Sequence, residues 1–385
     1  MYFAGGLGDA SPQHWDAYLA LERSIGLLRT GDWLTLHYNF EPDFKKPPLQ
    51  YMLTAGLIAS GIDQVLALRV WSFTFAVGSL LLTGVLAGLT APGRWWVIPS
   101  SVALLAGSPV LWTHSRIGLL ESGQVFFLLL TFCFAILAER DSRWWIPTGI
   151  AVGLGFLQKT PLALVSLVFW LWIRNRLDSG EDFGRSRLRE NQNFRVGRRI
   201  ALTLCILWPA IQIVRHGSQF IDAFFLEQMV FRFAPTTQID TGSFQWLEWL
   251  ARDLPQVWCP ALALIPVVLC LPRFRANVDL RGMAWLVAAC LLVLTLAGGT
   301  LFSRYILVIL PFLAVIASIA LVELLPAKWI APTISAALLA SSVPNLLVVP
   351  ESSHRHDRSE LIEMSQRFRE RLRPTENPIL VDRGA

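Results

Sequence analysis

The chain has 385 residues, of which 54% are hydrophobic and only 16% charged, with a mean hydropathy of +0.49 and a formal net charge of +5. Soluble domains carry about 25% charged residues, so the composition excludes an ordinary soluble enzyme and points to an all-α polytopic membrane bundle. The arginines gather in loops, as membrane topology requires, and do not indicate a nucleic-acid partner.

Residues 1–15 have neither a basic start nor an apolar core, so no cleavable signal peptide is expected. Residues 16–30 predict an amphipathic helix. Tyr18, Leu21, Ile25 and Leu28 recur at three- and four-residue steps, with Glu22, Arg23 and Arg29 elsewhere. Such a helix lies in the membrane interface rather than across it. Gly31-Asp32-Trp33 breaks the pattern, and residues 47–61 predict a second interfacial helix opened by Pro47 and Pro48. A span needs about 20 apolar residues. Ten segments approach that: 65–90, 94–113, 117–138, 143–158, 160–175, 199–214, 254–272, 282–300, 303–324 and 328–349.

Charge sets the topology. Segment 174–199 holds eight arginines and four acids, the most basic loop, and is expected to be cytoplasmic. That requires 143–175 to form a hairpin turning at Lys159 rather than one span. The loops at Arg94, 139–143, 273–281 and Lys328 then share the cytoplasmic side. Residues 1–64, His114–Glu121, Lys159, 215–253, Arg304 and the C-terminal tail share the other. The expected organisation is one transmembrane unit over 1–349, comprising an external loop (1–64) and a bundle (65–349), followed by a short external tail (350–385). No internal repeat is visible. Cys133, Cys205, Cys259, Cys270 and Cys290 lie in or beside apolar runs and imply no disulfide framework or metal site.

The stretch Asp43-Phe44-Lys45-Lys46-Pro47-Pro48-Leu49-Gln50-Tyr51 puts a lysine pair thirty positions after the acid Asp16, at the edge of a very apolar protein. Charge placed there is costly and usually functional. Several such stretches resemble the GT-C glycosyltransferases that use lipid-phosphate sugars, in particular the aminoarabinose transferases of lipid A and the protein O-mannosyltransferases. Asp16-Ala17-Tyr18 followed by Gly31-Asp32-Trp33 resembles that superfamily's first external loop. Phe44-Lys45-Lys46-Pro47-Pro48-Leu49 resembles its Phe-Glu-Lys-Pro-Pro box, and Ala67-Leu68-Arg69 the start of its following span. Arg116-Ile117-Gly118-Leu119-Leu120-Glu121 resembles Arg-Ile-x-Leu-Leu-Asp, and Leu157-Gln158-Lys159-Thr160-Pro161 resembles Leu-Thr-Lys-Gly-Pro. His216-Gly217 through Phe224-Phe225 to Arg232, and Ser303-Arg304-Tyr305-Ile306-Leu307 before Pro311, resemble later external boxes.

The likeness covers roughly 16–311 and has departures. The family places a span before the Asp16 loop and none precedes it here, which implies a misassigned Met1 or a fragment. The second acid of the pair is Ala17, the box glutamate is Lys45, and a histidine of some members is Gln228. In aminoarabinose transferases that glutamate and histidine can meet at a metal, so their joint absence argues against a metal; no cofactor is expected.

The resemblance implies an integral membrane glycosyltransferase. It would move a sugar from a polyprenyl-phosphate donor to a lipid, glycan or protein acceptor, with inversion, on the external face of a bacterial inner membrane. A leaving phosphate needs preorganised cations. Lys46 is the first choice, then Arg304, Lys159, Arg232 and Lys45. Asp16 is the expected general base, with Asp9 its local rival, and Glu121 would hold the acceptor or orient Asp16. Each has a plainer alternative. Asp16 suits a helix N-cap, Lys45 and Lys46 suit snorkelling, and Lys159 suits a hairpin tip. Arg116 and Glu121 suit a structural pair, and Arg232 and Arg304 suit lipid headgroups. His114 and His216 read as hydrogen-bonded residues rather than ligands. A lipid transporter or an inactive truncated member are the rival functions. Transporters tend to show repeated halves and mid-membrane charges.

Overall fold

The computed structural model describes residues 15–177, 190–230, 258–296, 303–326, 328–330 and 332–333. Helix α1 (Trp15–Thr30) leads into a small antiparallel hairpin, β1 (Leu36–Tyr38) and β2 (Glu41–Asp43), with Leu36 opposite Asp43. The bundle follows: α2 (Leu49–Ala59), α3 (Gln64–Thr90), α4 (Val97–Ala106), α5 (Pro109–Arg116), α6 (Glu121–Ala138), α7 (Trp145–Gln158) and α8 (Leu162–Leu177). After these come α9 (Gln192–His216), a π-helix (Ile221–Val230), α10 (Trp258–Cys270), α11 (Val278–Leu296), a 3-10 turn (Ser303–Val308) and α12 (Leu310–Leu324). Four of these are long and apolar enough to cross a membrane: α3, α6, α9 and α11.

Local chemistry sets several boundaries. Asp63 caps α3 by accepting from the Val65 and Leu66 amides at 3.0 Å. The span expected over 94–113 is instead two short helices. Gly107 ends α4, and Ser108 starts α5 by accepting from the Leu111 amide. Pro109 at the first helical position favours that restart. The segment 143–175 is broken at 159–161, where Pro161 ends any continuous helix, and α7 and α8 pack on each other. The segment expected at 199–214 extends to Gln192, where Asn191 caps it through the Phe194 amide. The hairpin was not foreseen. Its two-residue turn needs positive φ at Asn39 (51°) and Phe40 (66°), and only the asparagine signals this. Most of 328–349, and all of 350–385, lie outside the described residues.

The main core gathers α3, α4, α6, α8, α11 and α12. There Phe132 meets Trp170 and Phe312 edge-on at 5.5 and 5.0 Å. Helices α7 and α9 lie backbone to backbone, with a Cβ at Gly149 or Gly197 colliding with the opposite main chain. Without a hydrophobic drive between helices in lipid, such small-residue contacts carry the packing. A second cluster seats α1 on α2 and the start of α3. The buried residues of α1 include Ala17, Ala20, Leu21, Ser24 and Leu27; of the expected stripe Leu21 is buried, Ile25 and Leu28 pack partly against the same cluster, and Tyr18 is 45% exposed. Alanine and serine at positions 17, 20 and 24 leave room for close approach beside these leucines.

The two ends of the bundle carry different charge clusters. At one end Arg174 pairs with Glu139 and Asp279, Arg94 with Glu323, and Asn277 donates to the Thr90 carbonyl. Glu121 begins the same helix that Glu139 follows, about 27 Å away at 1.5 Å per residue. It belongs to the cluster at the opposite end.

Candidate active site

That opposite end is assembled from six stretches of chain. Asp16 sits in the first turn of α1, and Arg23 two turns later. Asp43, closing β2, accepts from Arg23 Nε at 2.8 Å and Nη2 at 2.5 Å through Oδ2, while its Oδ1 accepts from the Lys45 amide at 3.0 Å. Arg23 Nη1 also reaches the Tyr51 hydroxyl at 3.4 Å. One carboxylate thus ties the Lys45-Lys46 segment to the helix that bears Asp16. Burial alone pulls the Arg23 guanidinium down, but the fields of Tyr51 and Asp43 outweigh it and leave its pKa raised. Burial pushes the Tyr51 phenol up to about 12.

Glu121 is delivered by a turn at Gly118, whose φ of +81° suits glycine and where a Cβ would meet Leu68 Cγ at 2.6 Å. Lys159 follows the end of α7, and Arg304 lies in the 3-10 turn before α12. Glu121 Oε1 accepts from Lys159 Nζ at 2.8 Å and pairs ionically with Arg304 Nε at 2.9 Å. Arg304 Nη1 in turn bonds Asp16 Oδ2. Lysine, glutamate, arginine and aspartate therefore form one chain of alternating charge, with Glu121 and Lys159 side chains only 6% and 8% exposed. Lys46 Nζ donates to Gln228 Oε1 at 3.1 Å, and Lys159 lies 5.5 Å from the centre of the Tyr305 ring.

These groups line a cavity of about 180 Å³. Its wall includes Asp16 and Arg23 from α1, Lys45 and Lys46, Tyr51 from α2, the 118–121 turn, Lys159, Gln228, Arg304 and Tyr305. Of the residues expected from sequence, Asp16, Lys45, Lys46, Glu121, Lys159 and Arg304 are brought together. Arg232 lies outside the described residues. Lys45 is exposed at the rim. The Arg116–Glu121 pair expected as an alternative is not the arrangement found for Glu121, which turns to Lys159 and Arg304 across the bundle, while Arg116 stacks over Trp112 at 4.2 Å. His114 contacts the Val110 carbonyl at 2.7 Å, and the His216 ring lies tilted against Phe44 with ring centres 4.8 Å apart. Trp15 and Trp33 are exposed and do not line the cavity.

Sequence reasoning missed Arg23, Asp43 and Tyr305. Arg23 was placed on the polar side of α1; its spacing of seven from Asp16 is the signal that both share a face. Asp43 carried no signal, because its partner is twenty residues away across a hairpin that the periodicity does not show.

Comparison with known proteins follows the same lines. Residues 21–181 match the family Dolichyl-phosphate-mannose-protein mannosyltransferase. An uncharacterized protein of Aquifex aeolicus is 26% identical over 258 residues, which is 65% of this chain and 53% of that protein. The undecaprenyl phosphate-alpha-4-amino-4-deoxy-L-arabinose arabinosyl transferase of Pseudomonas savastanoi pv. phaseolicola is 27% identical over 222 residues, 54% of this chain and 38% of that one. The alignments thus span about half or less of these relatives' length. Two crystal structures of ArnT from Cupriavidus metallidurans are similar in fold. The form bound to undecaprenyl phosphate has a TM-score of 0.65 at 20% identity, covering 84% of this chain and 58% of that one. The apo form has a TM-score of 0.70 at 17% identity, covering 89% and 61%. The chain is an integral membrane protein with the helical fold of those structures.

Proposed function

We propose that this chain is a membrane glycosyltransferase that takes a sugar from a polyprenyl-phosphate donor. The acceptor is a hydroxyl on a lipid, glycan or protein, reached on the external face of a bacterial inner membrane. The observation that carries the reading is a cavity of about 180 Å³ lined by Asp16 and Glu121 together with Lys45, Lys46, Lys159 and Arg304. The family match over 21–181 and the likeness to arabinosyl transferases support it.

In this reading the acceptor oxygen attacks the anomeric carbon and its proton passes to the Asp16 carboxylate. The bond from that carbon to the phosphate oxygen breaks, and the electron pair leaves with the lipid phosphate. A single displacement of this kind inverts the anomeric centre. Negative charge grows on the phosphate, so fixed cations in a partly dry site favour the transition state over the ground state. Lys46, held by Gln228, is the point charge best placed at the cavity wall, with Lys45 at the rim and Arg232 as a further donor-binding residue. Arg304 fixes the Asp16 carboxylate from one side, and Glu121 fixes Arg304 and Lys159. Glu121 is thereby a holder of cations at the cavity wall.

The test is transfer from labelled undecaprenyl-phosphate sugars by purified protein in liposomes. A positioned base contributes about 10²–10⁴-fold, so Asp16→Asn should lower turnover by that factor while donor binding persists. Undiminished turnover in Asp16→Asn would move the base elsewhere. Movement of the lipid across the bilayer without sugar transfer would favour a transporter.

A further inference from the structure

Behind the charged chain lies a run of uncharged polar side chains shut away from solvent. Gln158 and Ser72 are 0% exposed and Gln50 is 1% exposed. Gln158 closes α7, and its Nε2 donates to Gln50 Oε1 and to the Leu120 carbonyl at 3.2 Å. Gln50, in the first turn of α2, donates to Ser72 Oγ at 3.2 Å and reaches the Leu119 carbonyl at 3.5 Å. Ser72 Oγ donates to the same Leu119 carbonyl at 2.9 Å. Room for this exists because residue 123 is glycine. A Cβ there would collide with the Gln158 amide and meet Phe75 at 3.0 Å.

Buried amides are costly unless they are bonded. The Gln158 Oε1 has no hydrogen-bond partner among the described residues. An apolar side chain of similar volume would fill the slot without that cost, so packing does not account for the amide. Its bonds instead join three segments that each carry a cavity charge. Gln158 directly precedes Lys159, Leu120 directly precedes Glu121, and Gln50 lies four residues after Lys46. A tie beside it runs from Gln124 Nε2 to Thr160 Oγ1.

We propose that Gln158 and Gln50 are positioning residues, an amide bracket that sets the register of the α7 end, the 118–121 turn and the start of α2. Lys159, Glu121 and Lys46 thereby face one cavity. The kinetic half of this inference rests on the transferase reading; the structural half does not.

The experiment compares Gln158→Leu, Gln50→Leu, the double variant and Gln158→Glu with the wild type, all full-length in detergent. A misplacement of about 1 Å can cost a hundredfold. Turnover in Gln158→Leu should therefore fall about a hundredfold with an undecaprenyl-phosphate sugar, with KM for that donor changed by less than about fivefold and a melting point within about 5 °C. The double variant should be little worse than the singles, since both break one unit. Hydrogen–deuterium exchange over 117–125 should accelerate about tenfold. Gln158→Glu keeps the shape but donates only when protonated, so its turnover relative to wild type should rise as pH falls. That readout also serves if the leucine variant does not fold. Unchanged turnover per folded molecule, or a ratio for Gln158→Glu that is flat with pH, would overturn the inference. If the wild type transfers nothing, the transferase reading fails and exchange alone decides: unchanged exchange over 117–125 in Gln158→Leu would still overturn the bracket.

Discussion

Glu121→Gln tests the charged chain most directly. The substitution keeps the shape of the side chain and removes its charge. Two buried cations then lose a partner: Lys159 Nζ at 2.8 Å and Arg304 Nε at 2.9 Å. Leaving one buried charge uncompensated typically costs about 3–5 kcal/mol. Arg304 keeps Asp16, and Lys159 keeps the face of the Tyr305 ring, so the lower end applies, about 3 kcal/mol. At roughly 2–4 °C per kcal/mol, the melting point should fall by about 6–12 °C. The assay is thermal unfolding in detergent, followed by tryptophan fluorescence. The second leg is Lys159→Met, which takes one of its two cations away from Glu121. Glu121→Gln with Lys159→Met removes both charges and should cost about 2 kcal/mol less than the two single losses added together, a coupling within the range of contacting pairs. A single-variant shift under about 2 °C, or a double variant whose losses simply add, would refute the view that Glu121 exists to hold these cations.

Gly149→Ala places a methyl against the main chain of α9 at Gly197 and should destabilise by about 3 kcal/mol, the upper end for overpacking; an unchanged melting point would dismiss the close α7–α9 contact. Phe40, 76% exposed at φ +66°, sits where a two-residue turn favours glycine, so Phe40→Gly should raise stability by about 1 kcal/mol. Tyr51 has its folded pKa raised to about 12 by burial, against about 10 when unfolded. Its neutral phenol therefore contributes stability that is fully present below about pH 10 and lost as pH rises through 12. Tyr51→Phe should flatten that alkaline loss of melting temperature.

Composition and periodicity determined that this is a helical membrane protein, because a bilayer permits no unsatisfied backbone and long apolar runs have few other fates. The short motifs likewise pointed to Asp16, Lys46, Glu121, Lys159 and Arg304, since isolated charge beside apolar segments stands out whatever the fold. The sequence could not say which charges pair. Arg304 and Asp16 are 288 positions apart, and Arg23 and Asp43 meet only because a two-residue turn folds the hairpin back on α1. Nor could it show that Arg23 of α1 is buried while Tyr18 of the apolar stripe stays exposed, because that depends on where Asp43 and Tyr51 are brought. Local pattern fixes what each segment is, by backbone geometry and transfer from water. Which partner each charge takes depends on distances between segments, and these exist only once the helices have packed.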